Sequence, residues 1–213
     1  MKVAVSILSI KDNIKEKLQK LEYTTADYIH LDIMDGKFVS NKTWDINEIK
    51  DIISSSDKPK DVHLMVQDLD NYIEDFSSIN PEYITFHYEV TTDIKKYIDD
   101  LKSKNIKVGL SIKPDTDVSV LTPYLPYIDL VLVMSVEPGA GGQKFMDSSL
   151  EKIKLLSKHK KENNYSYVIE VDGGINNETV TFVKDEGADI VVSGSFITNS
   201  DNYQEKIDIL KNC

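Results

Sequence analysis

Residues 1–213 predict one α/β domain folded as a (β/α)8 TIM barrel, on three observations. First, short apolar runs alternate with longer amphipathic ones along the whole chain, and strict alternation of strand with helix implies right-handed crossovers and a parallel sheet. Second, eight such units in 213 residues match the lean end of the barrel range. Third, the chemically unusual residues fall at the carboxyl ends of the apolar runs, on the rim where barrels carry their sites. A doubly wound open sheet is the alternative arrangement. No Ser/Gly/Pro-rich linker or low-complexity tract divides the chain, and a 40 % hydrophobic content is enough for a sizeable core.

The first strand is read at 2–8, with Ser6 near its end, and the first helix at 12–21. The second strand, 28–34, carries an unusual pattern. Alternate residues of a strand share a face, so His30, Asp32 and Met34 point one way while Ile29, Leu31 and Ile33 form an apolar stripe on the other. Burying an unpartnered carboxylate is costly, so Asp32 and His30 must be paired, bound to a metal or working on a substrate. A helix at 45–54 leads to strand 61–65, which ends on His63 and Met65; a helix at 69–77 leads to strand 83–87, which ends on His87. Next come a helix at 92–104, strand 107–112, a short helix at 118–121 and strand 128–134, which ends on Met134. The last units are a helix at 148–162, strand 167–172 ending on Asp172, a helix at 177–186, strand 190–194 running into Ser195, and a helix at 201–210.

The formal charge of −11, with a pI near 4.8, repels the phosphate backbone and argues against nucleic acid as a partner. Any anionic ligand is expected to be small and held locally. The one cysteine, Cys213, can form no internal disulfide, which points to a reducing compartment. The amino-terminal residues lack a long apolar signal region, and nowhere do about eighteen apolar residues run together, so the expectation is a cytoplasmic protein with no membrane partner.

His30, Asp32, His63 and Asp172 come from strands two, three and seven, and a barrel would bring them to its axis. Two imidazoles and two carboxylates suit a divalent ion such as Zn, Fe(II), Mn or Co; the same groups also make a buried set of salt bridges, and the residues alone leave both open. Gly139, Ala140, Gly141 and Gly142 follow strand six, Gly173 and Gly174 follow Asp172, and Gly194 and Ser195 end strand eight. One glycine pair is usually a turn. Three glycine clusters on one rim instead suggest backbone N–H groups placed to approach a phosphate. Met34, Met65 and Met134 read by default as adaptable core fillers, and His87 as a hydrogen-bonded rim residue.

Several blocks in order resemble the ribulose-phosphate 3-epimerase family. They are Ser6-Ile7-Leu8-Ser9, His30-Leu31-Asp32-Ile33-Met34-Asp35-Gly36-Lys37-Phe38-Val39 and Asp61-Val62-His63-Leu64-Met65-Val66. They continue with Met134-Ser135-Val136-Glu137-Pro138-Gly139, Gly141-Gly142-Gln143-Lys144-Phe145 and Glu170-Val171-Asp172-Gly173-Gly174-Ile175-Asn176. The resemblance implies the same barrel, and interconversion of D-ribulose 5-phosphate and D-xylulose 5-phosphate by inversion at C3 through an enediolate, in the pentose phosphate pathway. It implies Asp32 and Asp172 as the acid/base pair, and one divalent metal ion (Zn, Fe(II), Mn or Co) on His30, Asp32, His63 and Asp172. Met34, Met65 and Met134 match a methionine wall beside the enediolate; Ser6 and His63 would touch the sugar phosphate. The backbone at Gly139, Ala140, Gly141, Gly142, Gly173, Gly174, Gly194 and Ser195 would hold its phosphate.

The resemblance further implies a homo-oligomer, a dimer or hexamer. Two other functions fit the same residues: a 3-epimerase of a six-carbon ketose phosphate such as allulose 6-phosphate, and a non-catalytic sugar-phosphate-binding barrel. The chain departs from the family pattern at Ala140, where phenylalanine is common, at Val5 and Ser40, where prolines are usual, and at Asp45, where glycine is frequent. None of these removes a proposed ligand, but Ala140 leaves less apolar cover over the phosphate loop.

Overall fold

The computed structural model describes all 213 residues, Met1–Cys213. Eight parallel strands close into a barrel in chain order: β1 (Lys2–Ser6), β2 (Tyr28–Met34), β3 (Lys60–Met65), β4 (Tyr83–His87), β5 (Lys107–Ile112), β6 (Leu130–Met134), β7 (Val168–Asp172) and β8 (Ile190–Ser193). Around it run α1 (Ile14–Glu22), α2 (Ile46–Ile53), α3 (Leu69–Ser77), α4 (Ile94–Ser103), α5 (Ser148–Asn163), α6 (Thr179–Glu186), a short α7 (Ser195–Thr198) and α8 (Tyr203–Asn212). None of these helices is long and apolar enough to cross a membrane.

The two faces of each strand have different jobs. Ile29, Leu31 and Ile33 of β2 face outward into the large apolar layer between barrel and helices, with Val62, Leu64, Ile84, Phe86, Val131, Val133, Ile169 and Val171. Each fully buried aliphatic side chain contributes about 1.5–3 kcal/mol, so this layer holds the helices on. Inside the barrel, Ala4, Tyr28, Tyr83, Leu130, Leu132, Ile190 and Val192 form a separate apolar plug. The charged residues share the lumen with that plug, and the register sets Asp61 opposite Tyr83, Glu170 opposite Leu132 and Asp172 opposite Val192.

Most boundaries differ from the sequence reading by a residue or two, and the main departures have local reasons. β1 stops at Ser6, because the Ser6 hydroxyl accepts a hydrogen bond from the Leu8 N–H (3.3 Å) and turns the chain. α1 begins at Ile14, after Asn13 in a left-handed conformation (φ 53°). The helix expected at 118–121 is a 3-10 turn (Val118–Leu121), followed by a second (Leu125–Tyr127); Pro123 and Pro126 supply no N–H to continue an α-helix there, and β6 starts only at Leu130. α7, a single turn after β8, is too short to show a helical period in sequence. Asp45, the residue standing where glycine is frequent, caps α2: it accepts from the N–H groups of Asn47 (2.8 Å) and Glu48 (2.9 Å), while the Glu48 carboxylate accepts from the Asp45 N–H (2.8 Å).

Candidate active site

Strand register assembles the site. β2 against β3 sets His30 opposite Asp61, Asp32 opposite His63 and Met34 opposite Met65. β6 against β7 sets Met134 opposite Asp172, and Ser6 of β1 lies opposite His30. The ends of the strands are pinned from outside: Thr43 donates its hydroxyl to the Asp32 carbonyl (2.8 Å) and accepts from the Met34 N–H (2.9 Å), while Ser135 donates to the carbonyls of Asp172 (2.9 Å) and Gly173 (2.7 Å).

Asp32 is the hub. Its Oδ2 accepts from the Ser6 hydroxyl (2.7 Å), and its Oδ1 lies 3.3 Å from His63 Nδ1 and 3.4 Å from His30 Nε2. Asp172 Oδ2 is 4.0 Å from His63 Nδ1. His30 and His63 are fully buried, and Asp32 is 3 % exposed, whereas the Asp172 side chain keeps 18 % of its surface open. Beneath lies a second buried layer. His30 Nδ1 is 2.6 Å from Asp61 Oδ2, and Glu170 stands beside Asp61 with neither carboxyl oxygen hydrogen-bonded.

Environment separates these carboxyls. Burial pushes Asp32 upward, but the His30 imidazole and the hydrogen bonds of His30 and His63 outweigh it and hold the group far below the ordinary carboxylate range. Burial and then the Asp32 charge push Asp172 from 3.8 up to about 6. Burial, helped by the Asp61 charge, holds Glu170 well above its ordinary value. His30 is opposed by burial yet raised well above 6.5 by Asp61 and Asp32. His87, also fully buried, is depressed by that burial to about 4 and stays neutral.

Above the carboxylates opens a cavity of about 530 Å³. Asp32, Asp172, Ser6, Met34, Met65 and Met134 line its floor and walls, and Gly139, Ala140, Gly141, Gly142, Gly173, Gly174, Gly194 and Ser195 line its opposite side. Every site residue expected from the sequence therefore reaches this cavity except His30 and His63, which sit behind Asp32 under the floor. At Gly173 (φ +125°) a Cβ would come within 2.6 Å of Val136, and at Gly174 (φ +64°) within 2.5 Å of the Phe145 nitrogen. Only glycine turns the chain here and leaves its backbone at the cavity wall.

The donor set fits a divalent cation. One ligand atom from each of His30, Asp32, His63 and Asp172 lies within 4.8 Å of the others. His30 Nε2 is buried without a hydrogen-bond partner, since Asp32 is near it but not aligned, which is the state of a ligand nitrogen facing a cation site. Two nitrogens and two oxygens suit Zn, Fe(II), Mn or Co.

Sequence reasoning missed Asp61, Glu170 and Ser135, and gave His87 no part in the site. The signal was present in the first two: Asp61 and Glu170 precede His63 and Asp172 by two, as His30 precedes Asp32, so the same alternation places all three one layer deeper.

Fold and site together define a (β/α)8-barrel enzyme whose working side chains stand at the carboxyl ends of its strands. The chain belongs to the ribulose-phosphate 3 epimerase family, whose model matches residues 2–198. It is 40 % identical to the ribulose-phosphate 3-epimerase of Treponema pallidum over 194 residues, covering 91 % of this chain and 89 % of the relative. To that of Bacillus subtilis it is 36 % identical over 213 residues, covering 99 % and 98 %. Among solved structures, 3-hexulose-6-phosphate synthase from Salmonella typhimurium superposes with a TM-score of 0.69 at 19 % identity, covering 100 % of this chain and 97 % of the other, a likeness of fold.

Proposed function

We propose that this chain interconverts D-ribulose 5-phosphate and D-xylulose 5-phosphate by inverting C3, a step of the pentose phosphate pathway, with Asp32 and Asp172 as its two acid/base groups. The family and the named relatives support the substrate pair. The observation that carries the mechanism is that two carboxyls from separate strands open onto one cavity with opposite proton affinities.

Inversion at a carbon next to a carbonyl needs a base on one face and an acid on the other. Asp32, held ionised, takes the C3 proton; the electron pair of that C–H bond moves toward C2 and the carbonyl becomes an enediolate. Asp172, which holds a proton up to about pH 6, returns one to the opposite face, forming the new C–H bond. The reverse reaction exchanges the roles. His30, Asp32, His63 and Asp172 would hold a divalent ion, which when bound supplies Lewis-acid stabilisation of negative charge on the substrate oxygens. Met34, Met65 and Met134 offer no proton, so they keep water and stray acids from the carbanion face. The backbone at the glycine rim holds the phosphate.

The test is loss of the C3 proton of D-ribulose 5-phosphate in deuterated water, followed by NMR, before and after chelation and with metal restored. Exchange that stops with chelator and returns with metal is the expected result. Exchange indifferent to metal would reduce the four ligands to an ion-pair cluster, and a protein that binds the sugar phosphate without exchanging its C3 proton would be a binding barrel.

A further inference from the structure

We propose that Glu89, acting through His87, fixes which nitrogen of His63 carries its proton and so keeps the other nitrogen free for a metal ion; His87 and Glu89 are positioning residues. This rests on the metal-centre reading given above.

The argument is one of hydrogen-bond polarity. His63 Nδ1 faces the carboxylates of Asp32 and Asp172, and its other nitrogen, Nε2, lies 2.9 Å from Nε2 of His87. Two nitrogens at that distance need one donor and one acceptor. The next link decides which is which. His87 Nδ1 is 3.3 Å from Glu89 Oε2, and an ionised carboxylate only accepts, so His87 Nδ1 must carry the hydrogen. His87 Nε2 is then a lone pair to which His63 Nε2 donates, and a cation held between His63 Nδ1 and the carboxylates takes the Nδ1 lone pair. With no cation there, Asp32 Oδ1 at 3.3 Å accepts a hydrogen from Nδ1, so the relay and Asp32 compete for the His63 hydrogen. The opposite polarity would set an unprotonated His87 nitrogen against a carboxylate and place a proton where the cation binds.

Glu89 is built to stay charged and in place. Its Oε1 accepts from the Lys113 N–H (2.8 Å) and from the Thr116 hydroxyl, and against the opposing effect of burial the His87 hydrogen bond, followed by these two contacts, holds it at about 2. The loop that supplies them is itself tied down, because Lys152 Nζ donates to the carbonyls of Lys113 (3.0 Å), Pro114 (2.5 Å) and Thr116 (2.6 Å). Phe38 covers His87, with ring centroids 4.8 Å apart, and shields the relay from water. The two histidines are thus supported differently: His30 donates from Nδ1 straight to Asp61 and presents Nε2, while His63 donates from Nε2 to a relay and presents Nδ1. Buried imidazoles whose second nitrogen is tied to a carboxylate are oriented and more basic ligands.

The experiment measures the Kd for Mn(II) and Zn(II) by competition with a chromophoric chelator, and the His63 tautomer in the metal-free protein by 15N NMR. Wild type, E89Q, E89A, H87F and H87Q are compared. Expected are a loss of metal affinity of about 10–100-fold in E89A and H87F, a smaller loss in E89Q, and partial recovery in H87Q, whose amide oxygen can accept from His63. Turnover lost at low metal should return as metal is raised. The wild-type His63 should carry its hydrogen on Nε2, and E89A should show a mixture. Should H87F fail to fold, E89Q, which removes only the charge, carries the test. Metal affinity within about twofold of wild type in E89A and E89Q, with the tautomer unchanged, would overturn the relay. A wild-type protein that takes up no divalent metal would sink the metal centre itself, a distinct failure.

Discussion

The two sides of the barrel mouth are made of different materials. On the side of β1 to β4, Asp32 is enclosed by the Ser6 hydroxyl and two imidazoles, each with a further partner behind it. On the side of β6 to β8, Asp172 has only a 4.0 Å approach to His63, keeps 18 % of its side chain open, and is followed by Gly173 and Gly174. The same residue type therefore does two jobs: the enclosed carboxylate is kept ionised, and the sparsely partnered one is pushed up to about 6. Surroundings, rather than residue identity, set the two proton affinities apart.

Removing each carboxylate in turn gives the largest effects and tests that division. Both Asp32→Asn and Asp172→Asn are expected to lower kcat by about 10²–10⁴-fold or more, because each removes one of the two proposed proton-transfer groups. Their stabilities should part. Asp32→Asn strands two buried histidines and should cost about 3–5 kcal/mol in the chelated protein, whereas Asp172→Asn replaces a reluctant anion with a neutral amide and should cost little. Steady-state kinetics and urea unfolding read both quantities. Near-normal turnover in Asp172→Asn would remove the second base, and equal loss of stability in the two variants would erase the contrast between the sides.

How far the sequence foretold this differs between the sides in the same way. The charged side was readable because the period of two in β2, β3 and β7 fixes which residues share the lumen, so His30, Asp32, His63 and Asp172 needed only the barrel to converge. The barrel followed from alternation of strand and helix. What alternation cannot supply is the register between neighbouring strands or the path of the chain after one, which is why the His63–His87–Glu89 relay was invisible and His87 looked like a bland rim residue. Depth was also missed: Glu170 lies on the lumen face by period, yet only the closed barrel shows that it is buried beside Asp61. The turn at 118–121 is legible as a short helix, but the second 3-10 turn, Leu125–Tyr127, and the single-turn α7 were unreadable because neither is long enough to carry a period.

The next effect is the pH dependence of the metal-free protein. Asp172 is raised from 3.8 to about 6 in the folded chain, so its contribution to stability is present below about pH 4 and is lost as pH rises through 6; the loss is about 3 kcal/mol. His30 and Glu170 are also raised, so their contributions likewise fade with rising pH, while that of Asp32, which is lowered, fades as pH falls. Chelated protein should thus unfold at lower urea near about pH 8 than near about pH 5. Added Mn(II) should reverse the order, because binding needs deprotonated ligands and strengthens with pH. A chelated protein that gains stability across this range would show that the carboxylate side dominates after all.

The smallest effect probes the glycine side. If the phosphate is held there by backbone N–H groups, trimming a rim side chain should matter little, because the N–H survives the change. Ser195→Ala is the direct case: Ser195 lines the cavity as the first residue of α7, and alanine keeps its helical backbone. The KM for D-ribulose 5-phosphate and the inhibition constant of inorganic phosphate should both stay within about twofold, with kcat unchanged, since a direct hydrogen bond to the charged phosphate would be worth about 1.5–3 kcal/mol, or tenfold and more. A tenfold rise in both constants would mean that this rim reads its ligand through side chains, as the opposite side does, and the division of the mouth into a side-chain half and a backbone half would fail.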